Sequence, residues 1–145
     1  LGQRLMSKVR DAMITGDRIP RVYTGSPALE AVGEIDRRNL GFVLVTDRRN
    51  RLRGILTDGD VRRCVTRGVR FDAVPVDDVM TTTPRTIDEN ATLAKTVETM
   101  ETFEITTLVV TGKNGALKGY IHLHDIFGRG GTLRNSVPNS NGREA

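Results

Sequence analysis

Aromatic residues and cysteine are scarce in this chain. Phe, Tyr and Trp make up 4% of its 145 residues, Trp is absent, and Cys64 is the only cysteine. A single cysteine cannot form a disulfide within the chain, so nothing requires an oxidising compartment. Nucleic-acid-binding surfaces usually combine clustered basic residues with aromatic side chains. Here 22 basic residues are scattered among 18 acidic ones, so we expect no nucleic-acid partner.

Long apolar runs are also missing. A membrane-spanning helix needs roughly 20 consecutive apolar residues, and no segment approaches that length. With 37% hydrophobic and 28% charged residues, the composition is that of an ordinary globular protein. We therefore expect a cytoplasmic protein without membrane contact, folded as one domain or as two small units that share a core.

Histidine occurs only twice, at His122 and His124, with Asp125 beside them. A metal site needs at least three converging ligands, and copy 2 of the repeat described below offers no further histidine or cysteine to complete one. General acid–base catalysis needs an accompanying nucleophile or a second carboxylate, and none stands nearby in the sequence. We predict neither a metal ion nor a catalytic residue here.

One sequence motif occurs twice in the chain. Residues 54–60 (GILTDGD) and 119–125 (GYIHLHD) share their glycine, an apolar pair and their last aspartate at an offset of 65 residues (119 − 54 = 65). Matches at a fixed offset indicate an internal repeat. Leu29 matches Leu93 at an offset of 64 instead, which predicts a one-residue indel near the first helix.

Each copy also opens with a D-x-M element, at residues 11–13 and 78–80. A tail rich in Gly, Asn and Ser, with no periodic apolar face, is predicted to be disordered. The chain thus divides into the end of a linker (1–8), copy 1 (9–66), a second linker (67–76), copy 2 (77–128) and the tail (129–145).

Both copies predict the same order of elements: strand, helix, strand, hairpin, strand, helix. Ser26 before Pro27, and Asn90 in copy 2, are predicted helix N-caps because apolar residues follow at helical spacing. The second hairpin contains Asn114 and Gly115, which both tolerate positive φ. A helix between two strands makes those strands parallel, and the hairpin adds an antiparallel third strand.

Such a three-stranded sheet can be covered by its helices on one face only. The other face is apolar in both copies, so we expect each copy to bury that face on the other. The predicted fold is α+β or α/β, with β-α-β-β-α repeated twice about a pseudo-twofold axis. Clefts are then expected where equivalent strand ends approach each other.

A repeat of this size with D-x-M-T, P-x-[TV] and Gly-apolar-apolar-[ST]-x-x-Asp segments resembles the CBS domain pair, or Bateman module, over about residues 9–128. CBS pairs bind regulatory nucleotides and commonly associate as homodimers through helix faces. The resemblance therefore implies a ligand-binding module that forms a dimer.

Three stretches resemble one subgroup of CBS proteins in particular: residues 15–20 (TGDRIP), 54–63 (GILTDGDVRR) and 122–127 (HLHDIF). They look like the C-terminal CBS pair of arabinose-5-phosphate isomerases, which supply the pathway to the lipopolysaccharide sugar Kdo. In that family a catalytic sugar-isomerase (SIS) domain precedes the CBS pair, and this sequence lacks it. The resemblance implies a regulatory partner for a SIS domain, with no isomerase activity of its own.

In CBS pairs the aspartate of [ST]-x-x-D accepts hydrogen bonds from ribose, and the hydroxyl residue faces phosphate at a helix start. The resemblance gives these roles to Thr57 and Asp60 in copy 1. At the 65-residue offset, His122 and Asp125 stand in their places in copy 2, with His124 between them. Ser, Thr and Asp are also common N-caps, so a purely structural role remains open.

Six further residues complete the predicted ligand-binding set. Arg62 and Arg63 can pair with phosphate or a sugar-acid carboxylate, or lie in solvent. The strand-start residues predicted to line a base pocket are Val22, Tyr23, Thr86 and Ile87.

The family context suggests CMP-Kdo as the regulatory ligand, with an AMP-like nucleotide as the second choice and no required cofactor. Asp58 disfavours an adenylate, because many adenylate-binding CBS motifs carry a basic or amide residue there. Two alternatives stay open: a structural dimerisation module with vestigial clefts, and a CBS pair from another enzyme or transporter. If His122 touches an anion, protonation near its reference pKa of roughly 6.5 should tighten binding as pH falls.

Overall fold

Two three-stranded sheets of identical topology form the centre of the molecule. In this computed structural model, which describes residues 5–127, the first sheet contains β1 (Arg21–Tyr23), β2 (Phe42–Thr46) and β3 (Leu52–Thr57). The second contains β4 (Thr86–Asp88), β5 (Thr107–Thr111) and β6 (Leu117–His122). The first pair in each sheet is parallel and the second is antiparallel. The predicted tandem α+β fold is confirmed; the predicted tail lies outside the described residues.

Within the described part of the chain the sheets are accompanied by the α-helices α1 (Ala28–Arg38), α2 (Asp58–Thr66), α3 (Leu93–Phe103) and α4 (Leu123–Phe127). α1 and α3 are the crossovers between parallel strands, as predicted. The hairpin between β5 and β6 turns at Asn114 and Gly115, with φ of 59° and 74°. Within residues 5–127 no helix has the length and apolar character needed to cross a membrane.

The two predicted N-caps are wrong. α1 begins at Ala28 after Pro27 without a side-chain cap, and the Ala28 N–H donates to the Val74 carbonyl (2.9 Å). α3 is capped by Thr92, whose hydroxyl accepts the Lys95 N–H (3.0 Å). Asn90 lies two residues earlier, in a turn where its N–H donates to the Asp88 carboxylate.

The offset between the copies is 65 residues from β1 to the start of α4. Arg21 pairs with Leu44 as Thr86 pairs with Val109, and α1 and α3 begin and end 65 residues apart. The predicted one-residue indel is therefore wrong. Leu29 is 55% exposed although Leu93 is 1% exposed, so this sequence match joins positions on different helix faces.

The D-x-M segments that open the two copies are exchanged. Ile14 pairs with Tyr120 of β6 in copy 2, and Thr81 pairs with Ile55 of β3 in copy 1. Correspondingly, Val9 is buried in the core of copy 2, and Val76 in that of copy 1. Because Ile14 and Thr81 are equivalent, the connections that follow them differ in length: residues 15–20 before β1 and residues 82–85 before β4.

A shared core joins the two sheets. Phe42 and Tyr120 meet edge to face, with ring centroids 5.3 Å apart, a favourable aromatic geometry. This core lies between the two outer cores, each formed by one sheet and its helices. The expectation that the copies bury their apolar sheet faces on each other is confirmed by the residues of the shared core: Ile14, Phe42, Leu44, Val109, Leu117 and Tyr120.

Candidate functional site

Two related clefts follow from the exchanged segments. We call cleft A the junction between the start of α2 (residues 57–60) and Thr81 of the opposite copy. We call cleft B the equivalent junction between the start of α4 (residues 122–125) and the segment of copy 1 that pairs at Ile14 with Tyr120. Each cleft is therefore built from both copies.

A capping box begins α2 in cleft A. The Thr57 hydroxyl accepts the Asp60 N–H (3.1 Å), and the Asp60 carboxylate accepts the Thr57 N–H (3.0 Å). Each bond satisfies a backbone donor that a helix start leaves without an intrahelical partner. Both predicted ligand residues thus have a structural role in the molecule.

Asp60 also links the two copies. Its Oδ1 accepts a hydrogen bond from Arg63 (2.7 Å), and the Thr81 hydroxyl lies 3.3 and 3.4 Å from its two oxygens. Asp60 is only 9% exposed, and a buried carboxylate needs such partners. Thr81 comes from the segment that opens copy 2, so Asp60 fixes that segment to α2.

A modified cap begins α4 in cleft B. The His122 N–H donates to Asp125 (2.9 Å), as Thr57 does to Asp60. The His122 side chain, however, accepts the His124 N–H at its Nδ1 (2.9 Å). A ring nitrogen that accepts carries no proton, so neutral His122 has its proton on Nε2. Histidine therefore takes over the capping role that threonine has in copy 1.

The pKa of His122 is lowered from its ordinary value. Desolvation is the largest cause, the charge of Asp125 opposes it, and His124 adds to it. Protonation of Nδ1 would also remove the acceptor for the His124 N–H. If protonated His122 strengthens anion binding, this gain in affinity should therefore occur only below roughly pH 6.5, the reference pKa of histidine.

His122 should make the fold less stable in acid. Because its folded pKa is lowered, the unfolded chain takes up the proton first as pH falls, so stability that is present above about pH 6.5 is lost as pH falls through the folded pKa. We expect His122→Thr, which restores the cap of copy 1, to reduce the loss. Urea unfolding between about pH 7.5 and pH 5 measures it; an unchanged pH dependence would contradict this role for His122.

Of the four strand residues predicted to line a base pocket, two are buried in the core and two are partly or fully exposed. Val22 and Ile87 are 6% and 8% exposed and lie in the two outer cores. Tyr23 is half-buried beneath the Arg48 guanidinium, which lies 4.0 Å from the ring centroid. Thr86 is exposed at the start of β4.

The predicted polar residues of the helices lie at the surface. Arg62, Arg63 and His124 are exposed, and Arg63 is already paired with Asp60. The His122 and His124 rings stand 6.0 Å apart. Among residues 5–127 no group of three or more His, Cys, Asp or Glu side chains is arranged to hold a metal ion.

Two arginines that the motif comparison missed influence Tyr120, whose backbone pairs with Ile14 at cleft B. Burial and the charge of Asp125 raise the pKa of Tyr120, whereas the charges of Arg18 and Arg38 lower it. Arg18 belongs to the TGDRIP connection, and Arg38 ends α1. A motif search by position within one copy could not find them, because the exchange of segments brings Arg18 to the opposite copy.

Comparison with known proteins agrees with the geometry. A family model described as CBS domain matches residues 9–67 and 76–130. Arabinose 5-phosphate isomerase KdsD of Pseudomonas aeruginosa is 36% identical over 130 residues, which are 90% of this chain and 40% of that protein. This chain thus spans about 40% of the length of that relative, whose matched part is its CBS region. Both resemblances found in the sequence are confirmed.

Solved structures share the fold at lower sequence identity. A CBS domain-containing protein of unknown function from Bacillus anthracis superposes with a TM-score of 0.78 at 16% identity, covering 94% of this chain and 99% of that one. A CBS domain protein from Pyrobaculum aerophilum complexed with AMP gives a TM-score of 0.70 at 20% identity, covering 82% and 89%. At such identities the likeness shows the fold alone.

Proposed function

The chain belongs to the CBS domain family, and we propose that it is a regulatory module that binds a nucleotide-type ligand in clefts A and B. One observation carries the proposal. Asp60 at the start of α2 meets Thr81 of the opposite copy, so a ligand bound at Asp60 contacts both copies at once. Such a ligand is sensitive to how the copies are arranged.

The chemistry of cleft A suits ribose and phosphate. A ribose hydroxyl can take the place of the Thr81 hydroxyl, whose 3.3 and 3.4 Å distances to Asp60 are long for an O–H···O bond. The start of α2 offers backbone N–H groups and a favourable dipole for phosphate. Arg62 is exposed one turn further along α2, and its guanidinium can donate hydrogen bonds to the phosphate.

Cleft B suits an anion for a different reason. The positive charges of Arg18 and Arg38 act on Tyr120, as does the negative charge of Asp125, and the connection that carries Arg18 is longer than its counterpart, residues 82–85. His122, neutral at pH 7, can donate from Nε2. Because the two clefts differ in charge and in loop length, we expect unequal occupancy.

CMP-Kdo is the proposed ligand, with an AMP-like nucleotide as the second choice. Support for the first comes from the likeness to an arabinose 5-phosphate isomerase; support for the second comes from the related CBS domain protein complexed with AMP. In the parent protein, ligand binding would act on a SIS isomerase domain. The ligand must prefer one arrangement of the module, and allosteric coupling is typically about 1–3 kcal/mol.

A ligand screen tests the proposal. The chain is unfolded by heat or urea alone and with CMP-Kdo, CMP, AMP, ATP or Kdo. A ligand present at 100 times its Kd should raise the free energy of unfolding by roughly 2.7 kcal/mol. CMP-Kdo should stabilise more than Kdo or CMP alone, since each of these lacks half of the contacts. No stabilisation by any of the five would contradict the proposal.

A second candidate is a purely structural dimerisation module. Leu29 on α1 and Val65 on α2 are 55% and 60% exposed, and exposed apolar side chains on adjoining helices suit a twofold interface. A cytoplasmic homodimer is part of both proposals, so finding a dimer would not separate them. Ligand binding does separate them.

A further inference from the structure

A cavity of about 500 Å³ lies beside the start of β3, away from the helix starts that form clefts A and B. None of the ligand-binding residues predicted from the sequence lines this cavity. Its volume falls in the range of small-molecule sites, roughly 300–1,000 Å³. Five polar side chains surround it: Thr24, Asp47, Arg53, Asp77 and Thr82.

Both copies contribute to this cavity. Thr24, Asp47 and Arg53 come from copy 1, whereas Asp77 and Thr82 come from the exchanged segment that opens copy 2. Leu52 and Met80, one from each copy, add apolar surface. A molecule bound there would span the same junction as clefts A and B, at another place.

The repeat provides an internal comparison, because the corresponding place in copy 2 is covered. Gly112 stands where Asp47 stands in copy 1, at the 65-residue offset. A Cβ on Gly112 would lie 2.7 Å from the Lys118 side chain and 2.8 Å from the Glu89 carboxylate. Lys118 and Glu89 are the counterparts of Arg53 and Thr24. The fold alone therefore does not require an open cavity; the residues of copy 1 produce it.

The charges around the cavity indicate the class of ligand. The Arg51 N–H that donates to Asp47 holds the pKa of this carboxyl below its usual range, so Asp47 is ionised. Asp77 accepts the Gly25 N–H (2.7 Å) through one oxygen and keeps the other for further donors. Asp47 is also paired with the Arg51 guanidinium (Nε–Oδ2 3.0 Å), so Asp77 and Arg53 leave the cavity without a net charge, which favours a neutral ligand over an ion. Carboxylate and threonine oxygens accept hydrogen bonds from hydroxyl groups.

We propose that this cavity binds a small neutral polyhydroxylated molecule of the sugar or sugar-alcohol class. Asp47 and Asp77 accept hydrogen bonds from its hydroxyls, and Arg53 donates to a ring or hydroxyl oxygen. The apolar edge of the sugar packs on Leu52 and Met80. With few donors and an open rim, the affinity is expected to be modest, with a Kd on the order of 1 mM.

Titration of the isotope-labelled chain with D-arabinose, followed by NMR, tests the proposal. We expect saturable shifts of the amides of Thr24, Arg53 and Thr82, with little change at Thr57 or His122. Thr24→Glu introduces the residue that copy 2 has at this place and should weaken binding at least tenfold. Glu89→Gln, at the matched place in copy 2, should leave the affinity unchanged.

Asp77→Asn provides a second variant if Thr24→Glu does not fold. Its amide oxygen can still accept the Gly25 N–H, so the loop is kept while the charge is lost; we expect severalfold weaker binding. Absence of saturable shifts, shifts confined to clefts A and B, or unchanged affinity in the folded variants would overturn the proposal. Tighter binding of D-arabinose 5-phosphate than of D-arabinose would overturn the assignment to a neutral ligand.

Discussion

Gly119→Ala is expected to destabilise the fold by about 3 kcal/mol or more. A Cβ on Gly119 would lie 2.2 Å from the Ile14 carbonyl oxygen and 3.2 Å from Met13 Sδ. Ile14 cannot simply move away, because its N–H donates to Tyr120 (2.8 Å) and its carbonyl accepts the Tyr120 N–H (3.1 Å). The methyl group must therefore displace the exchanged segment from β6. Urea unfolding measures the loss.

Gly33→Ala is the matched control for this prediction. Gly33 lies inside α1, where a Cβ would meet nothing within 4 Å, and alanine favours a helix over glycine by about 1 kcal/mol. The same chemical change should therefore stabilise the chain at one place and destabilise it at the other. A loss below about 1 kcal/mol for Gly119→Ala would mean that the close contact between the copies does not exist.

The elements of the fold could be predicted from local patterns. Short apolar β-branched runs and helical spacing give the strands and helices of each copy, and the rule for crossovers gives their parallel pairing. The repeat implied that the two sheets pack on each other, which the contact of Phe42 with Tyr120 confirms. These features depend on residues close together in sequence or on a face that must be buried.

The exchange of the opening segments could not be predicted in this way. The pairings of Ile14 with Tyr120 and of Thr81 with Ile55 join residues more than twenty positions apart, and no local propensity specifies which sheet such a segment joins. The two glycines that begin the GILTDGD and GYIHLHD motifs were visible as repeats. Their reason, a close backbone approach from the other copy, was not: a Cβ on Gly54 would lie 2.8 Å from the Thr81 carbonyl oxygen.

Only part of the candidate site could be predicted from the sequence, because contacts between the two copies leave no local pattern. Alignment of the copies found Asp60, Asp125 and His122, which lie at equivalent helix starts. The base-pocket role of Val22 and Ile87 stays a prediction; both side chains lie in the outer cores, as alternation along a short strand places them.

Asp60→Ala is expected to weaken both folding and ligand binding. The substitution removes the acceptor for the Thr57 N–H and the partner of Arg63 and Thr81, which should lower the free energy of unfolding by about 1–2 kcal/mol. Loss of a carboxylate that accepts ribose hydroxyls should weaken a ligand of cleft A by roughly 10- to 100-fold. Urea unfolding and titration calorimetry measure the two effects separately.

Two further substitutions make this result specific. Asp58→Ala removes an exposed carboxylate two residues away and should change stability by only a few tenths of a kcal/mol. Asp125→Ala makes the equivalent change in cleft B, so the variant that loses more affinity identifies the cleft that holds the ligand. If neither Asp60→Ala nor Asp125→Ala alters the affinity while both variants stay folded, the clefts do not bind the ligand, and dimerisation becomes the better explanation of this module.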